Sequence, residues 1–189
     1  MSENDKVVFQ GKTENVAKII VIGDPSVGKT SLLNNFSSKQ FKTQYIPTVG
    51  VNIVKESLTL ENLEGEDRDI VLMLWDIAGQ PQFYMLHKPY FNGADGMMLV
   101  FDITRSSSFS NIKNWFNTAV KYGLSGIPRI LIGNKIDLKD KRKIIRPMGL
   151  HLSEELNAPY FETSAKTGEQ VKEVFKKIAE IVFQAKTKK

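Results

Sequence analysis

The stretch Gly23-Asp24-Pro25-Ser26-Val27-Gly28-Lys29-Thr30 separates the apolar run Ile19 to Ile22 from an amphipathic segment that begins at Ser31. The spacing G-x-x-x-x-G-K-T, in that context, restricts what the chain can become. A buried strand has to deliver the loop and a helix has to leave it. Consecutive backbone N–H groups and the positive end of the helix dipole then converge on one anion. Lys29 is placed to reach the β- and γ-phosphates of a nucleotide, and the Thr30 hydroxyl to ligate Mg²⁺. Asp24, Pro25, Ser26, Val27, Gly28 and Ser31 complete the cradle.

Asn134-Lys135-Ile136-Asp137 closes a second apolar run, Ile130 to Ile132. The Asp137 carboxylate can accept two hydrogen bonds from guanine's ring N–H and amino group, whereas adenine offers a ring acceptor there and no amino group. Asn134 and Lys135 are expected to tie this loop to the phosphate loop and cover the base. Between the two motifs, Asp76-Ile77-Ala78-Gly79-Gln80 follows the near-continuous apolar run Ile70 to Trp75. A carboxylate at the tip of a buried strand is placed to hold Mg²⁺ through water. Gly79 lets backbone approach a γ-phosphate, and Gln80 can orient an attacking water.

Strands and helices alternate along the chain. Lys18 to Ile22, Val71 to Trp75, Met97 to Phe101 and Arg129 to Ile132 read as central strands buried on both faces. Val51 to Leu60 reads as a longer, more exposed strand, joined to the next by a polar turn from Glu61 to Asp69 around Gly65. Helices are expected at Thr30 to Ser38, near Phe83 to Asn92, at Phe109 to Tyr122 and at Met148 to Asn157 after Pro147. A last helix places Val171, Val174, Phe175, Ile178 and Val182 on one stripe. The alternation predicts a layered α/β domain with its ligand at the C-terminal ends of the strands.

The three motifs in this order resemble those of the Ras superfamily of small GTPases, and within it the Rab branch. The resemblance runs from about Val16 to Ile181. It implies a three-layer P-loop GTPase fold with a mostly parallel six-stranded sheet and helices on both faces. The implied domain spans residues 16–185, preceded by a flexible extension at 1–15 and followed by a basic tail at 186–189. Phe41 resembles the aromatic that packs on the guanine edge. Tyr45-Ile46-Pro47-Thr48 resembles switch I, whose Thr senses Mg²⁺ and γ-phosphate, and Trp75 to Gln80 the start of switch II. Ser164-Ala165-Lys166 resembles the final guanine-contacting loop. Rab-like features are Gly50-Val51, Trp75 to Gln80, Tyr90-Phe91 with Gly93-Ala94, and Phe101-Asp102-Ile103-Thr104.

The resemblance implies a slow, Mg²⁺-dependent GTP hydrolase in which Lys29, Thr48 and Gln80 serve catalysis and Thr30, Thr48 and Asp76 the metal. Its partners would be exchange factors, activating proteins and effectors, recognised by switch I, switch II and the surface of Ile53, Trp75 and Tyr90. Several positions depart from the family pattern. Pro25 and Ser26 stand where many relatives carry Gly, Pro81 where Glu is usual, and Ile53 where Rab proteins usually have Phe. These departures keep open a second reading, a scaffold locked on GTP or GDP with little turnover. A P-loop nucleoside kinase is disfavoured, since the chain lacks an Arg-rich lid and the guanine motif has no role there.

Cysteine is absent, so disulfides, thiolate metal sites and C-terminal prenylation are not expected, and Ser2 is incompatible with N-myristoylation. These features and the lack of a long apolar stretch lead to the expectation of a cytoplasmic monomer that meets membranes only through partners or a missing tail. The formal charge of +5 is mostly scattered Lys, which argues against a nucleic-acid partner.

Overall fold

A computed structural model describes residues 15–37, 48–63, 65–79 and 87–188 of the 189-residue chain. Phe41, Tyr45, Gln80 and Pro81, together with most of the N-terminal extension, lie outside the described residues.

The elements run β1 (Asn15–Ile22), α1 (Lys29–Phe36), β2 (Val51–Leu63), β3 (Glu66–Ile77), α2 (His87–Phe91), β4 (Gly96–Asp102), α3 (Ser106–Ser110), α4 (Ile112–Lys121), β5 (Arg129–Asn134), α5 (Arg146–Glu155), β6 (Tyr160–Thr163) and α6 (Val171–Thr187). The strands form one six-stranded sheet in the order β2-β3-β1-β4-β5-β6. β2 pairs antiparallel with β3, and the other pairings are parallel.

The apolar run of β1 has no polar face because the sheet is covered on both sides. Ile19 and Val21 pack with Leu32 and Leu33 of α1 and with Val174, Phe175 and Ile178 of α6. Their neighbours Ile20 and Ile22 point the other way, into a layer with Phe91 of α2, Trp115 of α4 and Leu152 of α5. Alternation along one strand therefore feeds two cores and fixes three layers. The chain order reverses beside β1, with β3 on one side and β4 on the other, which opens a crevice at the C-terminal strand ends.

Several element boundaries differ from the sequence expectation. The turn expected over Glu61 to Asp69 is mostly strand: β2 continues to Leu63 and β3 resumes at Glu66, with a register shift between Leu60 and Leu63. Polar residues there occupy an exposed ladder at the sheet edge, where a charged side chain costs little. The helix expected from Phe109 starts three residues earlier and is divided into α3 and α4. The Ser106 to Ser108 run looks like loop chemistry, but the Ser108 hydroxyl is turned inward onto the Arg105 carbonyl oxygen at 2.8 Å. α5 starts at Arg146, because Pro147 fits the first helical turn, where its missing N–H costs nothing. β6 has four residues and little apolar periodicity, and the sequence reading assigned it no position.

α6 extends through Thr187, into the basic stretch at 186–189, and Lys186 Nζ donates to the Val16 carbonyl oxygen at 2.8 Å and pairs with Asp95 at 3.1 Å.

Candidate functional site

The loop between β1 and α1 is held from every side by side chains that donate to its carbonyl oxygens. Lys29 Nζ reaches Gly23 O at 2.7 Å and Asp24 O at 2.9 Å. Arg105 Nη2 reaches Pro25 O at 2.7 Å, Lys135 Nζ reaches Ser26 O at 2.7 Å, and Asn134 Nδ2 reaches Val27 O at 2.9 Å. The first turn of α1 takes Gly28 O through the Leu32 N–H at 2.9 Å. Gly28 adopts φ 100°, and a Cβ there would collide with the Asn134 side-chain nitrogen. Only Gly allows both the turn and the approach.

Lys29 is buried, and that burial lowers its pKa from the ordinary 10.5 to about 8 against the favourable charges of Asp76 and Asp24. Its carbonyl partners take two of the three ammonium donors but supply no countercharge. A phosphate anion at the loop would.

Thr30, Thr48 and Asp76 come from three separate segments and meet. The Thr30 hydroxyl donates to Asp76 Oδ2 in a short bond and lies 2.9 Å from the Thr48 hydroxyl, which is 3.5 Å from the same carboxylate oxygen. Asp76 is fully buried at the end of β3, and burial raises its pKa while Thr30, Lys29 and Thr48 oppose the rise. Its Oδ1 is buried with no hydrogen-bond partner among the described residues. Two hydroxyls and one carboxylate, whose Oδ1 is unsatisfied, form an all-oxygen donor set. The residues therefore fit a hard divalent cation such as Mg²⁺.

Gly79 follows three residues after Asp76, just past the end of β3. A side chain on it would run into Gly23 O and come within 2.7 Å of Pro25 N. The start of the segment after β3 is thus packed directly on phosphate-loop backbone, a close approach beyond the γ-phosphate role expected for this glycine.

At the other end of the crevice, Asn134 also accepts from the Thr163 hydroxyl and the Ala165 N–H, each at 3.1 Å. Asp137 Oδ1 accepts from the Ser164 hydroxyl at 2.7 Å. The base-contacting candidates of β5 and of the loop after β6 are thereby brought together, with Ala165 buried and Lys166 exposed beside them. Lys135 adopts φ 73° and pairs with Asp102 at 2.7 Å. Burial works to raise the Asp102 pKa, but the Lys135 and Thr104 hydrogen bonds and the Lys135 charge hold it below the ordinary value.

Four contributors escaped the sequence reading. Arg105, Asp102, Asn111 and Trp115 all lie in the stretch that runs from the last residue of β4 into α4. Trp115 packs in the core, and it also donates from Nε1 to Asp24 Oδ1 at 2.9 Å, where Asn111 Nδ2 donates at 2.6 Å. No spacing signal announces such contacts across more than eighty residues.

A separate surface joins Ile53 to Trp75 as cross-strand partners, with Tyr90 against Trp75 at 6.4 Å between ring centroids. Ile53 is exposed. Lys18 Nζ lies 3.7 Å above the Trp75 ring.

A glycine-bearing phosphate loop, an oxygen-donor cluster beside its lysine and an Asn-Lys-x-Asp loop at the far end of one crevice define a guanine-nucleotide-binding P-loop domain. The sequence profile of the Ras family matches residues 18–184. The chain is 39% identical over 158 residues to human Ras-related protein Rab-8B, covering 84% of this chain and 74% of that one. It is 38% identical over 166 residues to rat Ras-related protein Rab-13, covering 88% and 79%. With Ras-related protein RABE1e of Arabidopsis thaliana it shares 38% identity over 171 residues, covering 90% and 76%. The chain belongs to the Ras family, as a Rab-like small GTPase that hydrolyses GTP to GDP and phosphate.

Proposed function

We propose that this GTPase works as a Mg²⁺-dependent switch of the membrane-trafficking type, slow by itself and accelerated by an activating protein. The observation that carries this reading is the meeting of Thr30, Thr48 and Asp76 beside buried Lys29. Thr48 belongs to the segment preceding β2. Its presence in the cluster supports a link between what lies at the γ-phosphate and how that segment is held.

In hydrolysis, Lys29 and the inward N–H groups of the phosphate loop stabilise charge on the phosphates, and Gln80 orients the attacking water. Mg²⁺, held by Thr30, Thr48 and Asp76, would neutralise developing phosphate charge. Asp137 selects guanine, with Ser164, Ala165 and Lys166 around the base. Phe41 and Tyr45 cover the nucleotide from switch I. No arginine of the chain is assigned as a finger. An activating partner supplying one would be worth about 10³ to 10⁵ in rate.

Effectors dock in the GTP state on the two switches and on Ile53, Trp75 and Tyr90. The protein acts as a cytoplasmic monomer, reaching membranes through such partners.

Extraction and chromatography of the co-purifying nucleotide tests the reading. GDP or GTP is expected, and Asp137→Asn should shift preference from guanine toward xanthine, which carries oxygen in place of the amino group. Recovery of ADP or ATP as the specific ligand would refute it. The rigid, proline-bearing phosphate loop favours one rival, a nucleotide-locked scaffold. Single-turnover hydrolysis separates the two: Gln80→Leu should slow a true switch with little change in GTP affinity, whereas a scaffold shows equal background rates with and without Gln80.

A further inference from the structure

We propose that Arg105 is a positioning residue of the phosphate loop, which aims the Ser26 N–H at the phosphates by holding the carbonyl oxygen of Pro25. The proposal rests on the reading that GTP binds in this loop, and it adds a residue that neither the motif nor the metal cluster contains.

In a trans peptide the C=O and the following N–H point in opposite directions, and the described residues contain no cis peptide bond. A donor that captures a loop carbonyl from outside therefore turns the next N–H inward, toward an anion. The Pro25 carbonyl and the Ser26 N–H belong to one such peptide. Arg105 Nη2 captures that carbonyl at 2.7 Å.

This peptide needs holding more than its neighbours do. Pro25 contributes no N–H, so the cradle has one donor fewer at that point and Ser26 supplies the next. Ser26 itself sits at φ 63°, in the left-handed region that a residue with a Cβ disfavours. Two cations bracket the strained residue: Arg105 on Pro25 O and Lys135 on Ser26 O.

Lys29 is the wrong group to replace Arg105. Its bonds to Gly23 O and Asp24 O must loosen when its ammonium turns to a phosphate, whereas Arg105 has no such second duty. Arg105 is also built in. Its backbone N–H donates to Asp102 O at 3.0 Å, and its carbonyl oxygen accepts from the buried Ser108 hydroxyl. Asp102 in turn anchors Lys135.

The test uses the full chain loaded with GDP, and then with GTP in single turnover. Wild type, Arg105→Ala, Arg105→Gln and Arg105→Lys are compared by nucleotide release rate and by the amide ¹H–¹⁵N spectrum. Loss of a charge-assisted hydrogen bond predicts GDP release faster by about tenfold or more in Arg105→Ala. The Ser26 amide proton should move upfield while Val27 and Gly28 stay in place, and Arg105→Lys should recover part of both effects. If Arg105→Ala does not fold, the Gln and Lys variants carry the same comparison.

An unmoved Ser26 amide with unchanged release would overturn the proposal. So would slower hydrolysis with release and amide unchanged, because that pattern marks direct contact with the transferring phosphate. Wild-type protein that holds no guanine nucleotide would overturn the functional reading as well, whereas wild-type binding indifferent to Arg105 overturns this proposal alone.

Discussion

Asn134 and Val27 are separated by 107 positions in sequence and joined by a 2.9 Å hydrogen bond from Nδ2 of the first to the carbonyl oxygen of the second. The same side chain accepts from Thr163 and Ala165 through Oδ1, so one buried amide holds the phosphate loop and both base-contacting loops in a fixed relation.

Asn134→Ala should therefore lower both stability and nucleotide affinity. It strands three buried groups on two segments, each costing about 1–3 kcal/mol if unpaired. A loss of about 2 kcal/mol or more in urea unfolding is expected, with GDP release accelerated by at least about tenfold. Release at the wild-type rate would show that the three loops hold their relation without this amide.

The pKa of Lys29 gives nucleotide binding a pH dependence. Burial lowers it to about 8 in the nucleotide-free protein, while the unfolded chain keeps its proton to about 10.5. Between those values the unfolded state binds more protons, so stability of the nucleotide-free protein rises with pH across that window. Binding has the opposite sign. A phosphate beside the ammonium restores the proton, so affinity falls as pH rises above about 8, toward tenfold per unit. Calorimetric titration at about pH 8.5 in two buffers of different ionisation enthalpy should report proton uptake that shrinks at pH ~7. Heats independent of the buffer at the higher pH would refute the linkage.

Much of this was legible because the relevant signals are local. The phosphate loop is a contiguous run whose Gly, Lys and Thr each have a backbone or ligand reason, and β1, β4 and β5 are apolar on both faces. The Thr30 and Asp76 pairing followed from two such runs. Arg105, Asn111 and Trp115 were illegible for the opposite reason. Their contacts with Pro25 and Asp24 exist only once β4 is laid beside β1, and a lone Arg or Trp carries no periodic signature. β6 was lost because four residues are too few to establish a period, and the hairpin was shortened because charged residues on an exposed edge resemble a turn.

Gly79→Ala probes the packing between the end of β3 and the phosphate loop. The added methyl has no room: Gly23 O, Asp24 C and Pro25 N all crowd the position of its Cβ. Either the segment after Gly79 or the loop must shift, so both Mg²⁺-dependent GTP affinity and turnover should fall, by about tenfold or more in kcat from misplacement alone. GDP binding should suffer less if the segment yields and more if the loop does. Paired release assays for GDP and a non-hydrolysable GTP analogue decide which, and kinetics equal to wild type would show that the backbone contact is dispensable.

Glu162→Gln tests the clamp behind the guanine loop. Arg142 grips Glu162 in a two-point bond of 2.8 and 2.9 Å, and Tyr160 donates to the same carboxylate at 3.0 Å. This ties the chain just after Asn134–Asp137 to β6, whose end carries Thr163 and Ser164. Burial works to raise the Glu162 pKa, but the Arg142 and Tyr160 hydrogen bonds and the charges of Arg142 and Arg146 hold it below the ordinary 4.5. A carboxylate with a depressed folded pKa contributes stability above its unfolded pKa and loses it as pH falls through the folded one. Glutamine keeps the shape without the charge, so Glu162→Gln should cost about 1–3 kcal/mol at neutral pH. The gap between wild type and variant should then narrow as the pH is lowered past the ordinary carboxylate range. Urea midpoints for both proteins along a pH series measure it, and a gap that stays constant into acid would mean that the Glu162 charge contributes nothing to the clamp.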